Sequence, residues 1–159
     1  MDAISHSPIR GDDFEEIRQV VAGYCHIVDR AMQAGETPDV SFLFHPDAEF
    51  TNSFQSQVWK GRAAIVDWYH TYLGKRRGYF RYTRHKIYAI HTEFEGETAR
   101  TVCHFDADSL DFHGIIRRMS GRYEDVVAKY EGRWLIAKRN INIQYIPGEI
   151  EAQPFRGWR

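Results

Sequence analysis

The chain has 159 residues, a formal net charge of −1, and 43% hydrophobic against 27% charged residues. That length supplies one core and therefore one domain, and near-neutral charge leaves no basic footprint for nucleic acid or another polyanion. No apolar run reaches the roughly 18 residues of a membrane helix, and Met1 to Arg10 lacks the apolar core of a secretory signal. The only two cysteines, Cys25 and Cys103, form neither a disulfide framework nor a zinc spacing. These readings predict a reduced, cytoplasmic protein with no nucleic-acid or membrane partner. Aromatic residues make up 14% of the chain, enough to fill a core and still line a cavity.

Residues 1–11 are read as an N-terminal segment, 12–146 as the single domain and 147–159 as a C-terminal tail that could serve as a lid or an interface arm. From Phe14 to Ala34, Ile17, Val20, Val21, Tyr24, Ile27, Val28 and Ala31 recur at helical spacing. Asp12 with Glu15 three positions later reads as the start of this helix, and Gly35 as its exit. Thr37-Pro38 then opens a short helix through Phe44, which His45-Pro46-Asp47 closes, and Ala48 to Phe54 reads as a strand. A second long helix begins at Lys60-Gly61-Arg62 and carries Ile65, Trp68, Tyr69, Tyr72 and Leu73. It ends in Lys75, Arg76 and Arg77, read as solvated charges that complement the negative end of the helix dipole rather than as a binding site.

Beyond Tyr79 the period becomes two. Tyr82–Phe94 with Glu97–Asp108, and Gly114–Tyr130 with Arg133–Ile146, read as two long hairpins turning at Glu95-Gly96 and Glu131-Gly132. The predicted class is α+β, with helices covering one face of a curved antiparallel sheet. A tight first turn would oppose His85 to Asp106 and Ile87 to His104, placing His85, Val102, His104 and Asp106 on one face. Cβ atoms of such opposed residues lie within about 5.5 Å, close enough for a carboxylate to orient an imidazole. Simple solvation of this face is the alternative. The second hairpin would oppose Glu124 to Arg139, either as sheet glue or with Arg139 reaching a ligand oxygen. Its residues are apolar on both faces, which predicts a homodimer or homotrimer joined through the sheet.

On the first helix, Tyr24 falls on the apolar stripe, and Asp29 lies about 140° round from it, either solvated or aimed into a cleft between helix and sheet. No GxGxxG, Walker, GxSxG or HExxH motif is present. A metal on His85, His104 and Asp106 would rest on a weak pattern, so neither metal nor cofactor is expected.

The stretches IRQVVAGYCHIVDRA, LFHPDAEF, WKGRAAIVDWY, RHKIYAIHTEFEGETARTVCHF and GRYEDVVAKYEGRWLIAKR resemble the SnoaL-like branch of the nuclear transport factor 2-like superfamily, which has a cone-shaped, cystatin-like α+β fold. The resemblance spans Phe14 to Tyr145. By resemblance to the dehydratases of that group, Tyr24, Asp29 and His85, with His104 or Asp106, fill the catalytic places, and Arg139 matches a late-strand arginine. Phe50 and Phe54 stand where scytalone dehydratase has a first-strand tyrosine. The implied function is a cofactor-independent dehydratase or isomerase acting on a small, largely apolar cyclic substrate. Its pocket would be lined by Phe50, Phe54, Trp68, Tyr72 and Val102. A non-catalytic ligand-binding protein, or a structural partner like the β subunit of ring-hydroxylating dioxygenases, is the alternative the resemblance allows, since one fold hosts many functions.

Overall fold

A computed structural model describes residues 11–145; the N-terminal segment and the C-terminal tail, with its suggested lid or arm, lie outside the described residues. Helix α1 spans Gly11–Ala34, a 3₁₀ turn spans Ser41–Leu43, and helix α2 spans Arg62–Arg77. Strands β1 (Phe44–Asn52), β2 (Gln55–Lys60), β3 (Phe80–Glu95), β4 (Thr98–Asp111), β5 (Ile116–Tyr130) and β6 (Arg133–Tyr145) form one sheet in the order β2-β1-β6-β5-β4-β3. The sheet is mixed rather than purely antiparallel, because β1 runs parallel to β6. Among the described residues, no helix is long and apolar enough to cross a membrane.

Helix α1 buries Ile17, Val21, Tyr24, Cys25, Val28, Ala31 and Met32, the stripe its periodicity gives. Its start differs from the expectation. Asp12 lies inside the first turn, and Glu15 pairs with Arg18 (2.7 Å) and Gln19 (2.6 Å) rather than closing a capping box. Buried Asp13 anchors this end instead, accepting from the Trp134 indole N–H (2.8 Å) and pairing with Lys129 (2.9 Å). At the exit, Gly35 takes φ +69°, and the Glu36 N–H reaches the Ala31 carbonyl (2.8 Å). The expected short helix is only a 3₁₀ turn, because Phe44 already enters β1 with an extended backbone. Strand β2, absent from the sequence reading, is an edge strand in which Trp59 alone is buried.

Both long hairpins contain a bulge that the sequence does not announce. In the first, the two-residue turn is Gly96-Glu97, one residue later than expected, since Glu95 pairs with Thr98. Further along, Ala89 and Ile90 together face the single residue Cys103, with Ala89 at φ +53°. The turn slip preserves the faces, but the bulge reverses them. His85 therefore opposes Ala107, Lys86 opposes Asp106, and Tyr88 opposes His104. In the second hairpin, Glu131-Gly132 forms the expected turn, with both φ values positive. An extra residue at Ala137 then moves Arg139 opposite Asp125 and Ile141 opposite Tyr123.

The inner face of the sheet, which α1 and α2 cover, carries Ala99, Cys103, Phe105, Tyr123, Val127 and Ile136. Gly121 belongs here for steric reasons: a Cβ would stand 2.4 Å from the Asn142 carbonyl oxygen and 3.0 Å from the Phe105 ring. The outer face of β5 and β6 is not the apolar surface expected, because the bulge turns Ile141 inward. Val126, Ala128 and Leu135 lie near the turn, whereas further along Glu124 accepts from Asn140 (2.9 Å) and pairs with Arg122 (2.8 Å).

Candidate active site

Helix α1 and strand β3 meet through one carboxylate. Asp29 sits at the margin of the buried stripe, one position past Val28, so its carboxylate leans onto β3. There it accepts three hydrogen bonds: Oδ2 takes the backbone N–H of His85 (2.7 Å), while Oδ1 takes the Thr83 hydroxyl (3.0 Å) and faces His85 Nδ1 (2.7 Å). Because both oxygens are already acceptors, the third contact requires Nδ1 to carry the proton, leaving Nε2 with its lone pair in the neutral ring. No protein partner of Nε2 occurs among the described residues. The two side chains are 14% and 15% exposed, dry enough to strengthen the pair and open enough to meet a ligand.

His85 borders a narrow inner chamber of about 50 Å³ together with Tyr24, Phe54, Trp68, Tyr72 and Phe105. The chamber leads into a wider vestibule of about 810 Å³, with which it shares Phe54, Tyr72, Arg76, Ser109 and Met119. The larger volume thus lies at the mouth and His85 at the inner end, while Asp29 stands behind His85 on a separate groove between α1 and β3. The rings of Tyr24 and Phe105 flank His85 at 6.4 and 6.3 Å, and Trp68 stacks on Tyr72 at 4.8 Å. Burial holds the Tyr24 phenol well above its usual range, so it is a hydrogen-bond donor and not a base at working pH.

Beneath this chamber lies a second Asp pair. Arg139 donates two hydrogen bonds to Asp125, from Nε (2.9 Å) and Nη2 (2.6 Å), with both side chains fully buried. Its guanidinium carbon sits 4.7 Å from the ring centres of Tyr24 and of Tyr123. Burial opposes the charge on Arg139, but the Asp125 carboxylate more than restores it and holds the guanidinium above its ordinary pKa. Burial also pushes the thiols of Cys25 and Cys103, in the same interior layer, up to about 12.

The structure therefore brings Tyr24, Asp29 and His85 together, with Phe54, Trp68 and Tyr72 on the chamber wall. It corrects the other placements. The bulge at Ala89 sends Val102, His104 and Asp106 to the outer face: His104 stacks on Tyr88, and Asp106 accepts from the Ser120 hydroxyl (2.6 Å). Phe50 packs behind Trp68 (4.6 Å) and Tyr69 (5.4 Å) and does not border the chamber. Arg139 is sealed beneath Tyr24 and pairs with Asp125, not Glu124. With His85 and His104 on opposite faces, the donor set suggested for a metal is not assembled, and no three His, Cys, Asp or Glu side chains converge among the described residues. Sequence reasoning missed Ser109, whose odd-numbered place on β4 turns inward once the register is known, and Arg76.

Two helices lie on one face of a curved six-stranded sheet, and His85, held from behind by Asp29, borders the cavity between these layers. The SnoaL-like domain family matches residues 10–140, and the chain belongs to that family. Among solved structures it is similar to a candidate scytalone dehydratase from Novosphingobium aromaticivorans, with 19% identity and a TM-score of 0.73 over 93% of this chain and 95% of that one. It is also similar to a type 3 LinA hexachlorocyclohexane dehydrochlorinase from Novosphingobium barchaimii, with 15% identity and a TM-score of 0.71 over 90% and 95%. A nuclear transport factor 2-like protein with a cystatin-like fold from N. aromaticivorans shares 22% identity and a TM-score of 0.65 over 83% and 82%. No curated protein matches the chain.

Proposed function

We propose that the protein is a cofactor-independent dehydratase or isomerase acting on a small, largely apolar cyclic substrate. The observation that carries this reading is the 2.7 Å Asp29–His85 contact, with the His85 ring bordering an aromatic-walled chamber. Nε2 of His85 removes a proton from carbon next to a carbonyl, and the C–H electron pair moves toward a new double bond. Asp29 fixes the tautomer and stabilises the imidazolium that forms. The Tyr24 phenol, neutral because it is buried, donates to the carbonyl oxygen as charge develops there. In a dehydration, the C–O bond at the β carbon then breaks and the imidazolium returns its proton to the departing hydroxide as water. In an isomerisation, the same proton returns to a different carbon.

The relatives support a lyase-type reading at the level of the fold: one is a candidate scytalone dehydratase and another a dehydrochlorinase, both names of elimination reactions. The test is a panel of cyclic β-hydroxy ketones and β,γ-unsaturated ketones, followed by mass spectrometry and by the ultraviolet absorbance of a conjugated enone. Water loss or conversion to the conjugated ketone is expected with the native protein and not with H85Q. Turnover that survives in H85Q overturns the assignment. Ligand binding without turnover, equal in both proteins, would leave only the binding-protein alternative.

A further inference from the structure

The last turn of α2 holds Lys75, Arg76 and Arg77, which the sequence presents as interchangeable surface charges. The fold separates them. Arg77 donates to the Gly35 carbonyl (2.9 Å) and the Thr37 hydroxyl (3.2 Å), tying α2 to the end of α1. Arg76 instead turns inward and borders both the chamber and the vestibule.

There, among the described residues, its guanidinium is held by neutral groups. Nη1 donates to the Tyr72 hydroxyl (2.9 Å) and Nη2 to Ser109 Oγ (3.1 Å), while the guanidinium carbon lies 4.8 Å from the Phe80 ring centre and 5.4 Å from that of Tyr72. These contacts fix its orientation but supply no counter-charge, and they use two of the five N–H donors a guanidinium carries. A part-buried cation without a carboxylate is costly unless something else neutralises it. Among the described residues, the acid that borders the vestibule is Asp111, and it is engaged elsewhere: it accepts the backbone N–H groups of His113 and Ile115 (both 2.9 Å) and faces Arg117 at 4.0 Å. Exposed rings of Phe54 and Phe112 stand on the same vestibule wall.

We infer that Arg76 is an anion-binding residue at the neck of the cavity, and that the substrate is a cyclic, largely apolar carboxylic acid whose carboxylate docks on Arg76 while its reacting carbon reaches His85. The inference rests on the acid–base reading of the chamber for its catalytic half and on Arg76 alone for its binding half. A guanidinium presents parallel N–H groups that match a carboxylate, and its fixed orientation reduces the ordering that binding requires.

Isothermal titration with 1-naphthoate and its methyl ester separates the charge from the ring. The native protein should bind the acid at least about tenfold more tightly than the ester, as expected for a charge-assisted hydrogen bond. Arg76→Gln, which removes the charge and keeps a polar side chain, should bind both probes alike, and Arg76→Lys should keep part of the preference. Equal affinity for the two probes in the native protein, failure of both to bind, or a preference that persists in R76Q overturns the inference. In H85Q the carboxylate preference should stay. Loss of the preference with turnover still dependent on His85 removes only the role of Arg76. The converse result removes only the acid–base reading.

Discussion

Two Asp–base pairs lie one beneath the other in this fold, and their surroundings assign them opposite tasks. Asp29–His85 joins α1 to β3 at the edge of a chamber, with both side chains about one-seventh exposed. Asp125–Arg139 joins β5 to β6 with neither side chain exposed at all. The first base is an imidazole, whose ring can take up and give back a proton, and its Nε2 has no protein partner among the described residues. The second is a guanidinium that burial and Asp125 together keep charged. A polar pair becomes chemical when its base can lose a proton and reach a ligand; sealed and permanently charged, it becomes a fixed support for the tyrosines above it.

The largest effect should come from breaking the sealed pair. Arg139→Met leaves the Asp125 carboxylate alone in the core and should cost about 3–5 kcal/mol, read as a lower urea midpoint. Adding Asp125→Leu should recover most of that loss, since the pair offers little net stability over apolar packing. An unchanged midpoint for R139M would contradict the sealed pair's structural role.

Breaking the open pair should do the reverse. His85→Gln should lower the rate by about 10²–10⁴-fold, the usual worth of a general base, with little change in the urea midpoint. Asp29→Asn should give a smaller rate loss, because the imidazole remains while its tautomer is no longer imposed. If D29N were as inactive as H85Q and also unfolded early, Asp29 would be a structural residue first.

The smallest effect concerns the phenols around the sealed pair. Burial raises the pKa of Tyr24, Tyr69 and Tyr123 above the ordinary value of 10.0. The folded state thus holds protons that the unfolded chain has lost above about pH 10. The stability these groups contribute is complete below that pH and falls as the pH climbs further. An ultraviolet titration should show these three tyrosines ionising only with global unfolding. Their titration in the folded protein would mean that the lower layer is wet.

The two pairs also mark what was legible in the sequence. Tyr24 follows from the phase of α1, which a 24-residue amphipathic helix sets strongly, whereas the same phase leaves Asp29 open between solvent and cleft and only the resemblance singles it out. The resemblance, and not the pairing register, places His85 near the start of the first long strand. Residues across a hairpin are different, because a single inserted residue exchanges the faces. The bulge at Ala89 is invisible in an alternating pattern, since no glycine announces it, and it alone decides that Phe105 rather than His104 meets the chamber. The extra residue at Ala137 in the same way gives Arg139 to Asp125. Strand β2 escaped notice because an exposed edge has almost no apolar face to betray it. Arg76 and Arg77 are adjacent and chemically identical, and only the position of α2 on the sheet says which one enters the cavity.

The central claim is that Asp29 holds His85 with Nδ1 protonated and the Nε2 lone pair directed to the chamber. Long-range proton–nitrogen correlation spectra of the ¹⁵N-histidine-labelled protein, with H85Q to assign the signal, test it without knowledge of the substrate. The account predicts that the neutral His85 ring is the Nδ1–H tautomer and that D29N loses this bias. A His85 ring found as the Nε2–H tautomer in the native protein would contradict it.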